Sequence, residues 1–399
     1  MNAPPPVRGS GHECPAAVAA GLLAAGENWT DAVQAAEQAL ESPDCRANAL
    51  CVSRALGTLV CAGELVAADA HSLALLEERP GDQALAEHVV LAQACVARRT
   101  GDLARCSSLL GLLRHNDIAA EIRPVVLLST VELLIARGEP REAEVLLLAH
   151  DADGPLFLAA EAAVAMALGR PRDALDGCLA CGREAGVGNP AVLPWRSLAA
   201  RAALACGDIG AALRLALEEH TAAARWGEPR ALGWSLSAIA AASPPDGEDL
   251  VVYERAIRLL DMAQARMELA EVLCDYGDRL TAHGKQAAAH EIYTRARATA
   301  LDVGDTVLLR RADEALCGVA APVLTPVEAE VARFVCAGLN NREIAARLAM
   351  ATRTVELHLT RVYRKLGLSG RRELRATRWA WLHEGTLRTD RGALGGPCG

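Results

Sequence analysis

The sequence predicts an all-α protein, a helical-repeat solenoid followed by a separate basic helical module, on three observations. Hydrophobic residues make up 52% of the 399 but aromatics only 3%. Ala and Leu dominate, and the β-branched and aromatic runs that mark strands are scarce. A glycine recurs every 31 to 40 residues between helical patterns. Charge is split: residues 322–399 hold 13 Arg and Lys against 7 Asp and Glu, a net of +6. The whole chain carries −9, which leaves −15 on residues 1–321. The length also exceeds one compact core, so at least two domains are expected.

From the N-terminus, MNAPPPVRGSGHECP lacks the apolar run of a secretion signal. Residues 1–25 are expected to be a disordered leader. No uncharged apolar stretch reaches the roughly 18 residues of a membrane span, so a cytoplasmic protein with no membrane partner is expected. The 13 cysteines are an odd number, scattered through apolar helical patterns such as ALCVSRAL, AQACVARR and RAALACG. That fits a reducing compartment, with Cys acting as a small buried hydrophobe. Cys178 and Cys181 share one helix face, but no second Cys/His pair follows at zinc-finger spacing. Small-residue packing is expected there, and no metal ligand.

Residues 26–318 read as about seven helical hairpins. The recurring glycines are Gly63, Gly101, Gly138, Gly169, Gly207, Gly247 and Gly284. Five residues after each comes a small or medium residue: Ala68, Cys106, Ala143, Ala174, Ala212, Val252 and Ala289. A helix, a turn at glycine and a second helix with a small contact residue make a close-packed pair. One such pair cannot bury its apolar face alone, but stacked neighbours can. The pattern resembles tetratricopeptide repeats, with a longer period and without most of their aromatic positions. The resemblance implies a concave surface for a small-molecule or protein effector. Trp195, Trp226 and Trp234 are expected to pack in its core.

The segment GVAAPVLTP carries two prolines, and residues 319–323 are expected to be a linker. Residues 324–385 then form a four-helix module, and 386–399 a disordered tail. Thr325, Pro326 and Glu328 spell a helix start with a capping box. Val327, Val331, Phe334 and Val335 form its apolar stripe, and Gly338 ends it. Asn340 or Asn341 caps a second helix whose inner face is Ile344, Ala345 and Leu348. After the turn Ala349-Met350-Ala351, a third helix runs from about Thr352 to Leu366. Its buried stripe is Val355, Leu359, Val362 and Leu366, and Gly367 stops it. A fourth helix is expected from about Arg371 to Leu382.

Two helices joined by a tight turn make a helix-turn-helix, with the third helix as reader. Removing the core stripe leaves Arg353, Glu356, Leu357, Thr360 and Arg364 facing outward, flanked by Arg361 and Lys365. The stretches LTPVEAEV, GLNNREIAARL, RTVELHLTRVYRKLG and RREL resemble the LuxR-type (NarL/FixJ, GerE) helix-turn-helix, over about 15% of the chain. The resemblance implies a helix in the major groove, with Glu356, Leu357 and Thr360 facing bases. Arg353, Thr354, Arg361, Arg364 and Lys365 then lie near the phosphates. Glu356 departs from the lysine common at that place, and a carboxylate there can accept from a cytosine amino group. The resemblance also implies that the fourth helix pairs two copies on DNA, with Trp379 as a contact. His358 is expected at the helix edge, not as a metal ligand.

Helical repeats ahead of such a terminus resemble the MalT-like large ATP-binding LuxR regulators, whose ATPase has a phosphate-binding loop. No G-x-x-x-x-G-K-S/T string occurs here. The nearest, Gly277 to Lys285, is wrongly spaced, and Gln286 lacks the hydroxyl that would bind Mg²⁺. No ATPase, cofactor, phospho-acceptor domain or other enzymatic activity is expected. The expected function is sequence-specific transcription regulation, by activation on the family resemblance, with double-stranded DNA, RNA polymerase and a second copy of the chain as partners. The alternative is a repeat scaffold that binds proteins and not DNA.

Overall fold

The computed structural model describes residues 13–79, 81–113, 118–150, 153–185, 188–318, 324–366 and 370–376. Among these residues every regular element is a helix. The first hairpin is α1 (Pro15–Ala25) and α2 (Trp29–Glu41), followed by the short α3 (Pro43–Arg46). Hairpins then follow in order: α4 (Ala49–Ala62) with α5 (Leu65–Glu78), α6 (Gln83–Thr100) with α7 (Leu103–Leu113), and α8 (Arg123–Ala136) with α9 (Pro140–Leu148). Next come α10 (Pro155–Ala167) with α11 (Pro171–Ala185), α12 (Trp195–Ala205) with α13 (Ile209–Trp226), and α14 (Pro229–Ala242) with α15 (Glu248–Met262). The array closes with α16 (Arg266–Ala282), α17 (Gln286–Val303) and α18 (Thr306–Gly318).

All seven expected glycines lie between paired helices, with φ from 71° to 102°. Six of the seven following contact residues are fully buried: Ala68, Cys106, Ala143, Ala174, Ala212 and Ala289. Val252 is only half-buried. There the glycine opens the second helix instead of following the first, so the register shifts and Tyr253 and Ala256 turn inward. The expected leader over 1–25 is corrected in part. Residues 15–25 form α1, which buries Ala16 and Ala19 against α2 and α4. An Ala/Leu segment behind a Pro/Gly-rich stretch is a helix once it has a partner to pack on. Residues 1–12, the linker 319–323 and the tail 386–399 lie outside the described residues.

The solenoid winds back onto itself. Gly26 packs against Asn189, Gly63 against Glu228, Gly101 against Arg266 and Gly138 against Thr306, so each contact lies 163 to 168 residues further along the chain. Asn189 Nδ2 donates to Leu23 O at 2.8 Å, and Thr306 Oγ1 donates to Ala136 O at 3.2 Å. Ala32 and Ala62 share an apolar cluster with Ala191, Ala223, Trp226 and Ala231. Gly101 is needed twice over: its φ is 83°, and a Cβ would collide with Val303 Cγ1.

The helices that open the hairpins meet through ion pairs. Arg98 pairs with Glu132 at 3.1 Å, and Arg230 with Glu268 at 2.8 Å. Arg201 reaches Glu271 and Asp275, both at 2.9 Å, with its guanidinium 4.4 Å above the Trp234 ring. Arg311 joins Asp275 at 2.8 Å. Arg99 and Arg230 both donate to Ala191 O. Burial, and then the neighbouring Arg230, bring Arg99 down to about 10. Trp226 and Trp234 are core residues as expected, in separate clusters, and the half-buried Trp195 packs at the edge of a third. Cys178 and Cys181 are buried as expected, and burial pushes their thiols up to about 12 and 11.

Candidate nucleic-acid interface

The C-terminal module consists of α19 (Pro326–Cys336), α20 (Asn341–Arg347), α21 (Thr352–Leu366) and α22 (Arg371–Ala376). Its first two starts are built alike. Thr325 Oγ1 accepts from Glu328 N, and Glu328 Oε2 accepts from Thr325 N at 2.8 Å. Asn340, not Asn341, caps α20: its side chain accepts from the N–H groups of Arg342 and Glu343, both at 3.0 Å. Glu343 returns the bond to Asn340 N at 2.7 Å. Each box satisfies N–H groups that a helix start leaves unpaired. Asn341 instead accepts from Arg371 Nη1 at 2.6 Å. Arg375 donates to Val335 O and Gly338 O, so α22 closes the C-terminal end of α19. The expected stop at Gly367, the remainder of the fourth helix and Trp379 lie outside the described residues.

Beneath the reading helix, Val355, Leu359, Val362 and Leu366 are all buried with Val331, Val335, Ile344 and Ala345. That is the expected stripe, with one exception on α19. Val327 is 38% exposed, and Ala332 takes an inward place instead. Position 327 is in the first turn, outside the crossing with α21. The tight turn contains Ala349 at φ 51°, a left-handed conformation in a residue with a Cβ, and Met350 N donates to Ala345 O. Such a conformation costs about 1–2 kcal/mol, which the buried crossing of α20 and α21 offsets.

The opposite face of α21 carries the expected contact residues. Arg353, Glu356, Leu357, Thr360, Arg361 and Arg364 are all exposed, and Leu357 is 54% exposed. Thr360 Oγ1 bonds back to Glu356 O at 2.9 Å. Among the described residues, no carboxylate lies within ion-pair distance of Arg353, Arg361 or Arg364. α21 approaches α17, yet this face stays open. Thr354 is half-buried at the edge. Lys365 also has a partner inside the module: its Nζ pairs with the buried Glu328 at 2.5 Å. Burial raises the Glu328 carboxyl, but Lys365 and the Thr325 N–H hold it below the usual carboxylate range. Glu328 therefore serves the cap of α19 and the end of α21 together, a pairing across 37 residues that no local pattern announces. His358 is half-buried with Nδ1 inside, as expected of a helix-edge residue.

This is a positive helix face opposite an apolar stripe, held by two capped helices. Residues 322–377 match the model of the bacterial regulatory proteins of the luxR family, GerE. They are a LuxR-type helix-turn-helix domain. The LuxR-type segment is 55% identical over 51 residues to proteins provisionally named HTH-type transcriptional regulators in Mycobacterium bovis and Mycobacterium tuberculosis. The match covers 13% of this chain and 6% of those relatives' length.

Solved helical structures also align over most of the chain. A Rap protein complexed with competence and sporulation factor is 12% identical with a TM-score of 0.48, over 82% of this chain and 98% of that one. Aspartyl phosphate phosphatase F from Bacillus subtilis is 14% identical with a TM-score of 0.35, over 79% and 94%. No helix among the described residues is long and apolar enough to cross a membrane.

Proposed function

We propose that this chain is a sequence-specific, non-enzymatic transcription regulator that reads double-stranded DNA with the exposed face of α21. The observation that carries the reading is that face itself. It places three arginines with no ion-pair partner among the described residues beside Glu356, Leu357 and Thr360, opposite a buried stripe. Arg353, Arg361 and Arg364 serve the phosphates, with Thr354 at their edge, and Glu356, Leu357 and Thr360 serve base edges. Lys365 acts in support, by holding the end of α21 to α19.

The repeat domain over residues 26–318, extended to residue 15 by α1, takes a protein or small-molecule effector. It sets whether two copies of the domain at 324–385 engage DNA together. The bound dimer then contacts RNA polymerase in the cytoplasm and activates transcription. The net of −15 on residues 1–321 supports this division of labour, because that part is repelled by phosphate.

Selection of genomic duplex fragments by the full chain supplies the site, and a salt titration on that site tests the mode. Affinity should fall steeply with salt, with a slope of about −0.9 per phosphate contacted. Arg361→Ala and Arg364→Ala should each weaken binding to all sequences and flatten the slope by about one contact. Glu356→Ala should change the preferred base at one position, by about 1–3 kcal/mol of discrimination. Salt-independent binding, or unchanged affinity in both arginine variants, overturns the assignment and favours a protein-binding scaffold.

A further inference from the structure

Three cysteines from separate helices meet at the N-terminal end of the solenoid. Cys14 is the N-cap residue just before α1, Cys45 lies in α3, and Cys51 in the first turn of α4. Cys14 Sγ is 3.7 Å from Cys45 Sγ and 3.8 Å from Cys51 Sγ. All three sulfurs lie within 4.8 Å of one another. A tetrahedral zinc ion with Zn–S bonds of about 2.3 Å has sulfurs about 3.8 Å apart along each edge. We infer that Cys14, Cys45 and Cys51 form a three-thiolate site for a thiophilic d¹⁰ cation, Zn²⁺ or Cu⁺, with one coordination position left for a water or an added ligand.

The bland alternative is that these are three small hydrophobes. The other cysteines show what that looks like. Cys106, Cys178, Cys181 and Cys274 are buried among apolar neighbours. Cys178 and Cys181 sit three apart on one helix, yet among the described residues no third donor joins them. Cys14, Cys45 and Cys51 instead lie side by side, with Cys45 buried and the other two half-exposed, so an ion has a way in. The start of α1 also favours the charged form. Burial raises the Cys14 thiol, but hydrogen bonds from the Ala17 N–H and from the two other thiols bring it below its ordinary value. The Ala16 N–H also lowers Cys45, but burial and the neighbouring Cys14 leave that thiol raised, and they push Cys51 up to about 12.

Binding would release the thiol protons to solvent and draw α1 onto α3 and α4, so affinity should fall as pH falls. The test is titration of the full chain, reduced and stripped of metal, with Zn²⁺ and separately with Cu⁺. Co²⁺ serves as a spectroscopic probe, through the sulfur-to-metal absorption it gains on thiolates. One ion per chain and that absorption are expected. Cys14→Ser should lose both while keeping the fold, because Ser is a good helix N-cap. Cys51→Ala, checked for native helix content by circular dichroism, should lose them too, and Cys178→Ser should retain them. Uptake of either ion with all three cysteines required supports the site, and the ion that binds identifies its charge. The inference is overturned if the reduced chain takes up neither ion. Cys14→Ser binding as the parent does, or two of these thiols forming a disulfide with no ion held by the reduced chain, also overturns it.

Discussion

Arginine is used in opposite ways in the two parts of this molecule. In the solenoid, Arg98, Arg201 and Arg230 face inward onto Glu132, Glu271, Asp275 and Glu268. In the C-terminal module, Arg353, Arg361 and Arg364 face outward, with no carboxylate in ion-pair distance among the described residues. A buried guanidinium without a partner is costly, so in the solenoid each charge is tied into the packing. An exposed one costs little, so on α21 the charge stays available to a polyanion. Residue type alone therefore says little about role, and burial and pairing decide it.

The sharpest break of this contrast is Val355→Asp. Val355 is fully buried beneath α21, and an unpaired carboxylate there costs several kcal/mol. The full chain should lose all duplex binding while circular dichroism keeps most of its helix signal. Retained binding would mean that α21 does not rest on this stripe. Next in size is Arg201→Met, which removes one of the two arginines that pair with the largely buried Asp275. Arg311 still reaches Asp275, so the loss should stay below the roughly 3–5 kcal/mol of a fully orphaned buried charge. Denaturant unfolding should show that loss, with DNA affinity unchanged below the transition.

A third variant sharpens the contrast through pH. Burial raises the Glu219 carboxyl from 4.5 to about 7, against the lowering effect of the Ser197 N–H and Arg196. The folded state thus holds a proton that the unfolded state has released between about 4.5 and 7. Stability should fall as pH rises through that window, and Glu219→Gln should flatten the slope in a series of melts. The smallest stability effect belongs to Arg364→Ala, expected within about 0.5 kcal/mol of the parent. Its DNA affinity should nonetheless drop, which sets it apart from Arg201→Met in both measurements.

Local features were legible in the sequence. The capping box at Thr325 and Glu328, the stripe Val355, Leu359, Val362 and Leu366, and the seven hairpin glycines all depend on residues a few positions apart. What escaped the sequence depends on distance along the chain. Glu328 with Lys365, Gly101 with Arg266, and Cys14 with Cys45 and Cys51 are neighbours only after folding. Periodicity carries no trace of such meetings. α1 was missed for a related reason: its composition is compatible with a free tail until α2 and α4 are there to cover it. The positive φ of Ala349 was hidden because alanine is not a turn residue by type.

The return of residues 189–306 onto residues 26–138 changes what kind of repeat protein this is. An open array can gain or lose a unit at either end and can melt piecemeal, since each unit touches only its neighbours. Here residues 189–306, after the fifth hairpin, rest on the first four hairpins, so deleting one hairpin would misalign every floor above it. The winding fixes the number of units much as a spiral stair fixes its steps per storey. Heating should therefore collapse the whole stair in one event and not shed it tread by tread.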